Sequence, residues 1–263
     1  MNPRSQLGHY SFRNLRLCKS LLSVALAAQL APLTAATGEV PEAQLPADGA
    51  WARYAEEWQR LDNGAKTSHK ITLSFVGRVM EQDEPCQWIE IKTVVPAGDS
   101  DEGTYVHKYL VRQSALLKGN NPLEEVVRVW SKDKDNAPDV PPNTQRHDIG
   151  FGSLLLWTPG VLKDAGRSDQ AKDIDYQKGR LKSCHARTGR LSLPVRDKNG
   201  NVEFTWSRSF TAWQHPDLPI GFSGAEVRDE ILSSDLNVRS AQSTVYTLED
   251  AGTGAKSELP DNN

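Results

Sequence analysis

Cys184 and His185 stand side by side, a thiol next to an imidazole, and they are the nearest this chain comes to a nucleophile with its base. Geometry argues against the pair. Neighbouring residues of a strand point to opposite faces, so the imidazole cannot take the proton of that thiol. Ser223 lies in Gly221-Phe222-Ser223-Gly224, where the second glycine comes one residue too early for a nucleophile elbow. The stretch reads instead as a glycine-rich strand entry after Pro219. GTGAKS, from Gly252 to Ser257, has the outline of a phosphate loop. Ala255 stands where that loop needs a glycine, and Pro260 would cut its helix short.

Metal chemistry fares no better. Asp197, Asn199 and Asn201 alternate as calcium-loop ligands do, but the glycine falls at the fourth position instead of the sixth, and no Glu stands at the twelfth. A hairpin turn explains all three. Asp133, Asp135 and Asp139 are interrupted by Ala137. His69, His107, His147, His185 and His215 include no two at the close spacing of a zinc pair. The sequence therefore offers no catalytic residue, no cofactor-binding residue and no metal ligand set.

The elements that would have to position any site are mostly strands. Residues 69–79 (HKITLSFVGRV), 86–95 (CQWIEIKTVV) and 104–112 (TYVHKYLVR) alternate apolar with polar residues. Three such runs joined by short polar turns predict an antiparallel meander. Trp51 to Arg60 is ambiguous: Trp51, Tyr54, Ala55 and Trp58 have helical spacing, yet Asp62-Asn63-Gly64 and a strand follow at once, which favours a hairpin. Leu191, Leu193 and Val195 lead into Asp197-Lys198-Asn199-Gly200, and Val202, Phe204 and Trp206 lead out, which is a strong hairpin signal. Residues 222–229 and 236–248 read as closing strands.

One helix is expected. Asn121 is a good N-cap, Pro122 suits the first turn, and Leu123, Val126, Val127 and Trp130 form an apolar stripe ending near Lys132. Residues 132–149 read as a long Pro/Asp loop, 150–162 as a short apolar helix or strand, and 163–179 as polar loop. The fold class is therefore mainly β: a curved antiparallel sheet, half-barrel or open barrel, with one or two packed helices. Trp88, Trp206 and Trp213, among seven Trp in all, read as core residues rather than as the lining of a cleft.

The first 36 residues set the compartment. Arg4, Arg13, Arg16 and Lys19 precede an apolar run from Leu21 to Leu33, which exits through Thr34-Ala35-Ala36, and no acid appears before Glu39. This is the pattern of a secretory signal peptide cleaved after Ala36. The run is shorter than the roughly 20 apolar residues that span a bilayer. Cys18 precedes it and is no lipid acceptor. The expected organisation is a signal peptide at 1–36, a flexible leader at 37–48, one β-rich domain at 49–248 and a disordered tail at 249–263. Removing 36 of 263 residues leaves 227, and losing four of 31 basic residues leaves 27 against 34 acidic ones, a net charge of −7. That acidity argues against nucleic acid as a partner. The expected location is periplasmic or extracellular, with no integral membrane segment in the mature chain. Cys86 and Cys184 are then the remaining cysteines, and an oxidising compartment permits one disulfide between them; two buried free thiols are the alternative.

Two patches carry a resemblance. LPADGAWARY (Leu45 to Tyr54), and Trp213 followed by QHPDL and Pro219-Ile220-Gly221, look like segments of uncharacterised exported bacterial proteins. They are also similar to the periplasmic lipoprotein-carrier class, in which an antiparallel sheet curves around a helix as a half-barrel. That resemblance implies a concave apolar face that binds an acyl chain, and it transfers no functional residue. The resulting expectation is an exported, non-enzymatic protein that binds an apolar small molecule or lipid. A secreted hydrolase with a dispersed site and a structural envelope domain are the alternatives, and oligomeric state is not legible.

Overall fold

A computed structural model describes residues 45–98, 102–118, 122, 125–134, 136, 165–196, 201–233 and 235–260. The expected signal peptide with its cleavage point after Ala36, residues 37–44 of the leader, and the Asn199-Gly200 turn lie outside them. The strands are β1 (Trp51–Arg60), β2 (Lys66–Glu81), β3 (Glu84–Val95), β4 (Gly103–Arg112), β5 (Val126–Asp133), β6 (Gly166–Tyr176), β7 (Gly179–Arg196), β8 (Val202–Gln214), β9 (Phe222–Ser233) and β10 (Val238–Gly252). One short helix, α1 (Gln113–Lys118), follows β4 directly.

All ten strands form one sheet in the order β5-β4-β3-β2-β1-β10-β9-β8-β7-β6. Every pairing is antiparallel. β5 and β6 are the two edges, so the sheet does not close into a barrel. It is strongly curved. The tip of the β6–β7 hairpin returns to β10, where the Gln177 amide donates to the Glu249 carbonyl at 2.9 Å and Lys178 donates to the Ala251 carbonyl.

Alternation builds the core. On the inner face, Tyr54, Ile71, Leu73, Phe75, Ile89, Ile91, Phe222 and Leu248 are all under 5 % exposed and belong to one cluster. A smaller cluster, Cys86, Trp88 and Leu110, lies on the outer face of β3 and β4 with Val76, Val127 and Trp130 packed against it. β3 is therefore buried without a break from Cys86 to Ile91, because both its faces are covered. Gly224 is required by a close approach: a Cβ there would lie 2.6 Å from the Tyr246 carbonyl oxygen, and its φ is +140°.

Three sequence expectations are corrected. The helix expected from Pro122 is the edge strand β5, with Val126 packed against the inner cluster and Val127 against the outer one. Three valines in four residues are stiff at χ1 and suit a pleated surface, and the free edge of β4 supplies the backbone partners. The helix present is α1, which buries Ala115 and Leu116. Most of the polar stretch 163–179 is not loop but strand β6, an edge strand whose side chains are mostly exposed, so nothing apolar marks it. The tail is not disordered through 260 either: Glu249 to Gly252 complete β10, and Leu259 is 3 % exposed.

Candidate functional site

The inner positions of β1 run Ala52, Tyr54, Glu56, Trp58 and Arg60, and the change of chemistry after Tyr54 marks a site. Glu56 stands between Tyr246 of β10 and His69 of β2. His69 Nδ1 lies 3.0 Å from Glu56 Oε2. The Tyr246 hydroxyl bonds to Glu56, and burial, reinforced by that carboxylate, holds the phenol well above its usual pKa. The same change occurs farther round the sheet, where Arg208 of β8 is opposite Asp229 of β9. Their forks meet at 2.7 and 2.8 Å with both side chains 5 % exposed. The guanidinium lies 4.6 Å from the Trp206 ring centroid.

Of these residues, Trp58, Arg60, Trp206 and Asp229 line a cleft of about 350 Å³, together with Ile231 and Gln242. Arg60, at the end of β1, is held toward the Asp62 turn by bonds of 3.1 and 2.5 Å, and that contact lowers the Asp62 pKa. The cleft is amphipathic, with two indoles and an isoleucine facing a few polar groups, as ligand sites commonly are. Both carboxylates of this region already have protein partners: Glu56 is bonded by His69 and Tyr246, Asp229 by Arg208. Among the described residues, no group of three or more His, Cys, Asp or Glu could hold a metal ion.

The residues singled out from sequence are scattered. Cys86 and Cys184 are both free and buried, in separate core clusters. Their strands are six places apart in the sheet, whereas a bridge needs Cα atoms within about 7 Å. Of the two alternatives, the structure shows the buried free thiols and not the bridge. Burial pushes both thiols above the usual range. Cys184 is buried and His185 exposed, on alternate sides of β7. Ser223 is buried at 1 % exposure. His147, Asn199 and Asp197 lie outside the described residues. Trp88 and Trp213 are core residues, whereas Trp206 both packs and lines the cleft.

The sequence reading missed Trp58, Glu56, His69, Arg208 and Asp229. A usable signal existed for the last two, since each occupies an inward position in a strand whose other inward residues are apolar. No helix among the described residues is long and apolar enough to cross a membrane.

No family model matches the chain, and no curated protein matches it. Among solved structures, a Parabacteroides distasonis protein named as a "putative lipoprotein" aligns over 79 % of this chain and 97 % of its own, at 10 % identity and a TM-score of 0.31. A likeness of that size carries no argument about function.

Proposed function

We propose that the mature chain is an exported, non-enzymatic β-sheet protein that binds an apolar or lipid-like molecule in the cleft at the open end of its inner face. One observation carries the reading. The inner face is filled around Tyr54, Phe75 and Phe222, each 0 % exposed, but leaves about 350 Å³ beside Trp58, Trp206 and Ile231. Indole and aliphatic surface would take the apolar part of the ligand, and Arg60 and Gln242 at the rim its polar end. Glu56 is engaged by His69 and Asp229 by Arg208, and the preference for a binder over a hydrolase rests on the indole and aliphatic lining of the cleft. Export rests on the basic, apolar and small-residue segments of residues 1–36.

The test is a titration of the protein with 1-anilinonaphthalene-8-sulfonate, followed by displacement with dodecanoate. Saturable, displaceable binding is expected. Trp58→Ala should weaken it by about tenfold or more, as removal of a buried aromatic anchor does. Absence of saturable binding, or an unchanged Trp58→Ala, would overturn the reading. N-terminal sequencing of the exported form should begin at Thr37, and an intact Met1 would refute export with cleavage.

A further inference from the structure

The outer face of β3 and β4 holds two ionisable side chains almost out of reach of water. Glu90 is 4 % exposed and Lys108 0 %. They stand opposite each other in the ladder. The C-terminal segment lies over both. Glu90 accepts hydrogen bonds from Ser257 Oγ at 2.8 Å, the Glu258 amide at 3.0 Å and the Leu259 amide at 3.3 Å. Lys108 Nζ donates to the carbonyls of Leu259 and Pro260, both at 3.2 Å, and lies 4.8 Å from the Trp88 ring centroid. Lys92 Nζ holds the Glu258 carboxylate at 2.7 and 3.0 Å. Leu259 is buried at 3 % exposure.

This is how a receptor holds an extended peptide. Backbone groups are satisfied at fixed positions, one apolar side chain is anchored, and one charged side chain is read. The approach to the seat runs over Gly49, whose carbonyl accepts from the Ala255 amide at 3.0 Å. Next to it a polar cavity of about 240 Å³ opens between the segment and the sheet. The seat also has a second arrangement available. With the segment gone, Glu90 and Lys108 are already cross-strand neighbours that can pair as water returns, so departure strands no lone buried charge.

We propose that this face is a recognition site for an extended Ser-Glu-Leu-Pro segment, filled in cis by Ser257–Pro260 and open to the same segment of a second copy once the cis segment is displaced. The occupant follows from the fit: every copy carries the one sequence seen to match the site. The short tether gives the cis segment an effective concentration in the millimolar range, so the intramolecular form prevails in dilute wild-type protein.

The test uses full-length protein and a labelled peptide spanning residues 253–260. Leu259→Asp spoils the chain's own segment and leaves the site; Glu90→Gln spoils the site and leaves the segment. The peptide should bind Leu259→Asp, by fluorescence anisotropy, at least tenfold more tightly than it binds wild type or the double variant. Leu259→Asp mixed with Glu90→Gln should sediment as a one-to-one heterodimer, each alone as a monomer. No saturable peptide binding to folded Leu259→Asp overturns the site. Peptide binding without the heterodimer overturns the second copy as occupant. If Leu259→Asp loses the wild-type circular dichroism, the wild-type sequence is cut at a protease site placed after Gly254. Retention of the cut segment until the labelled peptide displaces it then supports the proposal, and immediate loss overturns it.

Discussion

The two ends of the inner face share one backbone plan and differ in what the strands place on it. Toward one end, β1, β2 and β10 present Ala52, Tyr54, Leu73, Phe75 and Leu248, and the space is filled. Toward the other, the same strands and their neighbours present Glu56, Trp58, His69, Arg208 and Asp229, and a cleft remains. Antiparallel pairing runs through both ends, with one bulge on the β1–β10 ladder between Arg53 and Tyr54, so a loss of strand pairing is not what separates them. Side-chain chemistry alone does: apolar residues exclude water and collapse, while paired charges keep fixed geometry and leave gaps at their margins. One end is a filled core, and the other keeps a cleft of about 350 Å³.

The largest expected effect lies at the filled end. Tyr54 packs on Phe222 with ring centroids 5.0 Å apart and donates to the Phe222 carbonyl at 2.9 Å. Tyr54→Ala should lower unfolding free energy by about 3–5 kcal/mol in urea titration, as deletion of a buried aromatic does. At the open end, Asp229→Ala should cost about 3 kcal/mol or more because it leaves a buried guanidinium unpaired. Arg208→Met with Asp229→Leu should return to within about 1 kcal/mol of wild type. A double variant as unstable as the single one would show that the pair itself holds the fold, which would erase the distinction between the ends.

Trp58 sharpens the comparison from the other side. It is half-buried, so Trp58→Ala should cost only about 1 kcal/mol of stability while weakening the proposed ligand binding by about tenfold or more. A loss matching that of Tyr54→Ala would place it in the core. The smallest effect is expected in alkali. Burial raises the pKa of both Tyr54 and Tyr246 well above 10.0, and for Tyr246 the Glu56 carboxylate adds to it. A raised folded-state pKa gives stability that is complete below the unfolded value and is lost as pH rises toward the folded one. Stability should therefore fall above pH 10, and less steeply in Tyr246→Phe; an unaltered slope in that variant would remove the phenol–carboxylate contact from the account.

The sheet was legible in the sequence where one face is apolar and the other polar. β2, β3, β4 and the β7–β8 hairpin declare themselves through residues such as Ile71, Leu73, Val202 and Phe204. β3 stays legible although both its faces are covered, because Glu90 and Lys92 alternate with Ile89 and Ile91; where neither face is buried, the signal fails. β6 alternates nothing because it is an exposed edge. β5 carries Val126 and Val127 on different clusters, which at helical spacing imitates a stripe. The tail looked unstructured because its contacts are backbone groups received by Glu90 and Lys108, and a receiving side chain 150 residues or more away leaves no local pattern. The cleft was hidden for a related reason: Arg208 and Asp229 are ordinary surface residue types, marked only by the alternation of the apolar residues around them, such as Trp206, Phe210 and Val227.

The strand order has a consequence for how the chain reaches this state. β1 to β5 form one run of neighbours and β6 to β10 another, and the two runs meet where β1 pairs β10. That seam joins Trp51 to Gly252, the far ends of the described sheet. A chain delivered N-terminus first can build the first run from local turns alone, yet β1 must wait with an open edge until the last strand arrives. Closure over so long a loop is slow, and an open edge invites foreign strands in the interval. The exposed edge of β1 during synthesis is thus where this protein is most vulnerable to aggregation, although in the finished sheet it lies at the centre.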